Sequence, residues 1–328
     1  MENKSRIAQI DYLRGFAIFL VVLGHSIIVF PINLHEVAWC RLVYNTIYSF
    51  HMPLFFAISG FCYSIKGTYK DYILTKAKRL IIPFLFFALA DILLKVVFPS
   101  MVNRTSSINE LLFKVFFYGG DYWFLYTLFF VFTIYPAIEI LINKYSIPSL
   151  LIIIAIGSLS DMLPTIFCIR SVAYYLVPFS LGYYCKSKIR KIESISHRGI
   201  CLRKHKISIS ICSILALLLI GWLHGVIDHS AINMLEGLVG ITVSVVLSYC
   251  ITSIFMRFER YSKYSLSLYL FNGYWLVLSR MLIINVLKIT NPALVILFIF
   301  SICFYCSYIL IHCVLSKIPI IRVIIGIR

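Results

Sequence analysis

At 328 residues, 61% hydrophobic and only 13% charged, with a mean hydropathy of +0.94, the chain lies outside the composition of soluble globular domains. A formal net charge of +17 would suit a nucleic-acid ligand, but the Lys and Arg residues recur in alternate loops and form no single stripe beside aromatic residues. No nucleic-acid partner is therefore expected, and the ten cysteines, spread over apolar stretches and loops assigned to the cytoplasm, imply no disulfide framework.

Apolar runs of about 18 residues or more, the length a helix needs to cross a bilayer, recur from end to end. They place spans at 14–32, 45–65, 80–99, 122–142, 147–164, 171–186, 207–225, 231–256, 265–287 and 293–315. The expected fold is all-α: a polytopic membrane helix bundle of about ten transmembrane helices forming a single membrane domain over 1–328. The first apolar stretch starts only after Asp11 and Arg14 and lacks a small-residue cleavage site, so it reads as a permanent span and not a signal peptide. The loops test the assignment independently. Of the 30 Lys and Arg residues, 22 fall on the side that holds both ends of the chain, among them Lys4, Arg6, Lys76, Arg79 and the eight from Lys186 to Lys206. The other side holds only Arg41, Arg104, Lys114, Arg170 and Lys288. Both termini are thus expected in the cytoplasm, with the protein integral to the plasma membrane, a bacterial inner membrane.

Polar groups inside such spans cost at least ~2.5 kcal/mol, so each needs a partner, a wet cavity or a task. The first span, IDYLRGFAIFLVVLGHS, carries Asp11, Arg14 and His25. From Arg14 to His25 the helix makes three turns plus ~20°, which puts the two on one face and ~16 Å apart along the axis, with Asp11 close enough to pair with Arg14. An imidazole there can take a proton from a hydroxyl, and a cytoplasmic guanidinium can hold a donor's phosphates. The plainer reading is that Arg14 snorkels to headgroups and His25 bonds a neighbouring helix. The second span, FHMPLFFAISGF, has His51 at its start and Pro53 just inside; His51 either faces a cavity or sits at the interface. In KAKRLIIPF, the basic residues Lys76, Lys78 and Arg79 face lipid headgroups or bind a donor's phosphates.

DYWFLYTLFF opens the fourth span with Tyr122 and Trp123, residue types that anchor at interfaces. Glu139 is expected at the cytoplasmic surface or on a basic partner, Lys95 is expected to snorkel, and Asp161 and Asp228 to be solvated. Glu236, early in the eighth span beside Gly237 and Gly240, is a candidate cavity group. Cys303 and Cys306 form a C-x-x-C inside a span, where packing explains them better than a metal or redox site. No phosphate-binding loop, nucleophile elbow or metal-binding helix motif is present, and no metal is implied.

At these residues the sequence resembles the acyltransferase-3 family of integral membrane acyltransferases over essentially its whole length. The ordered motifs are Asp11-x-x-Arg14-Gly15 followed by His25, then FHMPLFFAISGF, KRLIIPF and YWFL, with VPFSLGYY near Pro178 and SLSLYLFNGYW near Tyr269 downstream. The resemblance implies transfer of an acyl group, commonly acetyl from acetyl-CoA, to a sugar hydroxyl of a surface glycan or lipid-linked glycan, with acyl-CoA as substrate and no permanently bound cofactor. By the same analogy His25 is the base or acyl relay, Arg14 and Arg79 bind the donor, and the YWFL segment with Tyr122 and Trp123 shapes the acceptor side; from their positions in the spans, Asp11 joins the donor site through Arg14, and His51 and Glu236 are candidates for the acceptor side or cavity. One departure is Asn272, which stands where many relatives carry His. A transporter or flippase of a lipid-linked sugar or acyl donor, or a non-catalytic membrane scaffold, would also show many spans and interior polar groups. The Arg14 and His25 pair and the lack of a two-fold repeat favour chemistry.

Overall fold

The computed structural model describes residues 8–98, 107–192 and 206–327, and all regular structure among them is helical. Lys4, Arg6, Arg104, Arg198, Arg203, Lys204 and Arg328, used above to orient the chain, lie outside the described residues. The helices run α1 (Ala8–Ser26), α2 (Ala38–Phe61), α3 (Tyr69–Val97), α4 (Ile108–Tyr118), α5 (Trp123–Ser158) and α6 (Ile169–Ile192). They continue as α7 (Lys206–His224), α8 (Ser230–Cys250), α9 (Ser265–Arg280), α10 (Pro292–Ser301), α11 (Ser307–Cys313) and α12 (Pro319–Ile324). Wider π-type turns extend α9 through Met281–Val286 and join α10 to α11 through Ile302–Cys306.

Seven helical stretches among the described residues are long and apolar enough to cross a membrane. Their large apolar side chains point outward as well as inward; Leu93 is 63% exposed and Ile207 77%, as lipid contact requires. α1 and α2 are long enough but not in that set, because their interior faces carry the polar residues described below. The 36 residues of α5 would run about 54 Å if straight, too far for one ~30 Å crossing. Ser146 breaks the helix with φ 34° and ψ −99°, two residues before Pro148. The Ser149 hydroxyl donates to the Leu141 carbonyl, eight residues back, at 2.9 Å, so the chain bends sharply between the two expected spans.

Three boundaries differ from expectation for physical reasons. α2 begins at Ala38, so Pro53 is an interior proline and His51 lies in mid-helix; the tyrosines and polar residues of its first half pack inside the protein and carry no lipid-facing hydropathy signal. α1 already includes Asp11, whose carboxylate suits the positive end of the helix. α4, absent from the expected spans, is an 11-residue helix closed by a Ser107–Glu110 capping box and stopped by Gly119 at φ 74°.

α2 is the central element, packed against α1, α6, α7 and α8. Its crossing with α6 is close because two glycines face each other's backbones. A Cβ on Gly60 would lie 1.9 Å from the Phe179 carbonyl oxygen, and one on Gly182 2.0 Å from that of Ala57. Small residues let membrane helices approach this closely and gain dispersion contact without a hydrophobic driving force.

Candidate active site in two cavities

Two cavities flank α2 toward opposite ends of the bundle. The first, of about 300 Å³, is basic: Arg14 of α1, Lys76 and Arg79 of α3 and Lys263 just before α9 share its wall with Cys62, Ser59 and Ser265. Phe55, Phe124, Leu128, Phe132 and Tyr269 form its apolar depth. Arg14 is aimed by its neighbours. Asp11, 3% exposed, accepts from Arg14 Nη1 at 3.4 Å and from the Ser262 hydroxyl at 2.7 Å, while Arg14 Nη2 donates to Cys62 Sγ at 3.3 Å. Asp11 thereby ties α1 to the turn Glu259–Ser262 and does not itself line the cavity. Lys76 sits with Nζ 3.7 Å from the Phe132 ring centre, a cation held over an aromatic face. Of the expected donor set, Arg14 and Arg79 therefore share one cavity and Asp11 positions Arg14; Lys263 joins them.

The second cavity, of about 240 Å³, is lined by Tyr48, Ser49 and Pro53 of α2, by Asp161, Arg170, Tyr174 and Tyr175 around the start of α6, and by His224, Ser230 and Asn233 at the α7–α8 connection. Its rim is held by short polar bonds. Asp161 accepts from the Ser230 backbone N–H at 2.9 Å, and Arg170 donates to the carbonyls of Asp161 and Leu163. The Ser230 hydrogen bonds hold the exposed Asp161 carboxyl below the usual carboxylate range. Asp161 is exposed, as expected, and is also fixed in the cavity wall by Ser230.

His25 lines neither cavity, so although it was expected on one helix face with Arg14 the two do not open onto one chamber; α2 stands between the two cavities. His25 reaches the second chamber through Tyr48, whose hydroxyl lies 3.2 Å from His25 Nδ1. Tyr48 stacks on Tyr44 at 3.9 Å and packs edge-on against His51 at 4.9 Å. His51 is 4% exposed and donates through Nδ1 to the Ile47 carbonyl at 2.7 Å; it lines neither cavity and is buried beside Tyr48, not at an interface. Along α2, Met52 and Phe55 face the basic cavity while Ser49 and Pro53 face the other. Pro53 donates no bond to the Ser49 carbonyl, so a backbone acceptor is freed at this wall.

Trp123 does not line the second cavity but stacks behind it on Tyr175, with Phe56 on that residue's other contact face. Tyr122 is buried and donates to the Tyr274 hydroxyl at 3.4 Å. Glu236, 3% exposed, accepts from or shares a proton with His224 Nδ1 at 2.8 Å. Lys95 is paired, with Asp91 and the half-exposed Asp121 each 2.6 Å from its Nζ. Glu139 accepts from the hydroxyls of Tyr63 and Tyr183 at 2.9 and 2.8 Å. Cys303 is buried against Ser279, and Asn272 is buried with Oδ1 lacking a hydrogen-bond partner among the described residues. Tyr48, Arg170 and His224 escaped the sequence reading; the Tyr44, Tyr48, His51 spacing along one side of α2 was the available signal.

The family profile described as an acyltransferase domain matches residues 7–312. The chain is 31% identical over 132 residues to nodulation protein NolL of Mesorhizobium japonicum, which covers 39% of this chain and 34% of that protein. It is 29% identical over 186 residues to nodulation protein NolL of Sinorhizobium fredii, covering 55% of this chain and 48% of the relative. The chain thus spans between a third and a half of the length of these relatives. No solved structure matches it.

Proposed function

The chain belongs to this acyltransferase domain family and is a multi-pass integral membrane acyltransferase; from that premise we propose that it moves an acyl group from cytoplasmic acyl-CoA, acetyl-CoA being the expected donor, to a sugar hydroxyl of a cell-surface glycan or lipid-linked glycan. The observation that carries this reading is the pair of chambers, one with four cations, the other with tyrosines, hydroxyls and imidazole. The basic chamber is assigned to the cytoplasm, with the ten crossings and cytoplasmic termini inferred from the basic loops, in a bacterial inner membrane.

Arg14, Arg79, Lys76 and Lys263 hold the phosphates of the donor, and the apolar depth between Phe55 and Phe124 takes its uncharged arm toward α2. His25, with Tyr48 on its Nδ1, is the base or acyl relay at the far chamber. The acceptor sugar lies against Tyr48, Tyr174 and Tyr175, whose rings suit the apolar face of a pyranose while Asp161, Arg170 and Asn233 reach its hydroxyls.

The test is mass spectrometry of surface glycans from cells with and without the gene. An acetyl-sized mass difference that disappears with His25→Ala at normal membrane abundance is the expected result. An unchanged glycan in the deletion strain would overturn the reading and favour transport of a lipid-linked sugar or acyl donor. Arg14→Ala should weaken acetyl-CoA binding by the purified protein; unaltered affinity removes Arg14 from the donor site.

A further inference from the structure

The imidazole that lines the acceptor chamber is not that of His25 but that of His224, and it carries an orienting carboxylate that His25 lacks among the contacts described above. His224 closes α7 and lies in the wall of the tyrosine-lined cavity, with a quarter of its side chain exposed. Its Nδ1 lies 2.8 Å from Oε2 of Glu236. Glu236 is buried in α8, next to Gly237, whose close approach to Pro53 and the Ser49 carbonyl seats α8 against the wall of the same chamber. The other carboxylate oxygen, Oε1, has no hydrogen-bond partner among the described residues. A carboxylate taken out of solvent this far costs free energy unless its environment returns it, and a single staple between adjacent helices does not require one.

We propose that His224, oriented by Glu236, is the base that takes the proton from the acceptor hydroxyl. This rests on the acyltransfer reading above and divides its chemistry between two histidines. The carboxylate accepts from Nδ1, which fixes the tautomer and leaves the Nε2 lone pair for the cavity. The acceptor oxygen then bonds to the acyl carbon. That carbon's bond to its leaving group, the thioester sulfur or the His25 nitrogen, breaks, and the leaving atom takes the electron pair. The hydroxyl proton passes to Nε2 of His224 and from there to solvent, so charge and atoms balance with no further reactant. Glu236 is a positioning residue in this scheme, since it touches His224 and not the sugar. With the proton assigned to His224, His25 is left to handle the acyl group itself.

The experiment uses membrane vesicles from the gene-deletion strain complemented with each variant of the full chain, supplied with [14C]acetyl-CoA and their own glycans as acceptors. Base-labile label in the glycan reports transfer, and acetyl-CoA binding by the purified protein in detergent reports the donor side. His224→Ala should lower transfer about 100-fold at unchanged acetyl-CoA affinity and membrane abundance, and added imidazole should restore part of it. Glu236→Gln, nearly isosteric, should lower the maximal rate with the acetyl-CoA KM unchanged. Normal transfer by His224→Ala overturns the inference. So does a loss that imidazole does not rescue, which would mark His224 as a helix staple. Should His224→Ala lower abundance, His224→Gln takes its place with the same readouts. An absence of transfer in wild-type vesicles would instead sink the acyltransfer reading itself, so the two failures are distinct.

Discussion

The α2–α6 crossing offers the sharpest stability test. In Gly182→Ala the new methyl would stand 2.0 Å from the Ala57 carbonyl oxygen, where ordinary contact begins at 3.4 Å. The helices must therefore part by roughly 1 Å or more, since the obstacle is backbone and cannot rotate away as a side chain would. Overpacking of this kind costs about 1–3 kcal/mol, and a backbone clash belongs at the upper end, a factor of roughly 100 in the folding equilibrium. Gly60→Ala meets the Phe179 carbonyl oxygen at 1.9 Å and should behave alike. Gly273→Ala is the control: nothing lies within 4 Å of its added carbon, and the better helix propensity of Ala should leave stability equal or slightly higher. Thermal denaturation of the three variants in one detergent, followed by loss of the monodisperse peak, measures the difference. If Gly182→Ala melts with Gly273→Ala, the close crossing is not part of the folded protein.

Tyr48→Phe removes only the hydroxyl that meets His25, so transfer should fall about 3- to 10-fold with abundance unchanged; full activity in the vesicle assay would leave that contact without a role. Arg79→Gln and Lys263→Gln should each weaken acetyl-CoA binding about 3- to 10-fold, with the deficit shrinking as salt is raised; a salt-independent deficit would point to lost packing and not lost charge. Asp161 has a folded pKa below its unfolded value near 4, so its contribution to stability is complete above about pH 4 and is lost as pH falls from there through the lowered value. Asp161→Asn should therefore be less stable than wild type at neutral pH and should show a flatter decline in acid; parallel acid denaturation curves would contradict the Ser230 tether.

Much of the bundle was legible because lipid imposes long apolar runs: α7 and α8 start within a residue of hydropathy alone, and α3 ends close to expectation but starts about three turns earlier, on turns that carry Lys76 and Arg79 outside the apolar run. α2 was misjudged for the same reason. Its first half, AWCRLVYNTIYSF, packs largely among other helices and beside a polar chamber, and side chains that face protein have no need of lipid-like composition. The Ser107-x-x-Glu110 capping box was readable but too short a helix follows it to register as a span. For the site, helical periodicity brought Asp11 to Arg14 and placed His25 three turns on, all within one segment. The partners that give these groups their meaning come from afar: Ser262 is 251 residues from Asp11, and Lys263 reaches the basic cavity from the turn before α9. Nothing in local spacing distinguishes such a lysine from one that merely faces headgroups. The His224–Glu236 contact joins a helix end to the second turn of the next across a five-residue connection, whose path no periodicity fixes.

The aromatic stack described above also bears on the cell's energy supply. Acyl transfer across a charged membrane, as proposed above, must leave no water file through which protons run down the electrochemical gradient. Phe56, Tyr175 and Trp123 stack beside the second chamber, and under that proposal their rings keep bulk water and ions out while the acyl group passes. Replacing Phe56 by a small residue would then show itself first as a leak, in the growth yield of respiring cells, before any change in the glycan.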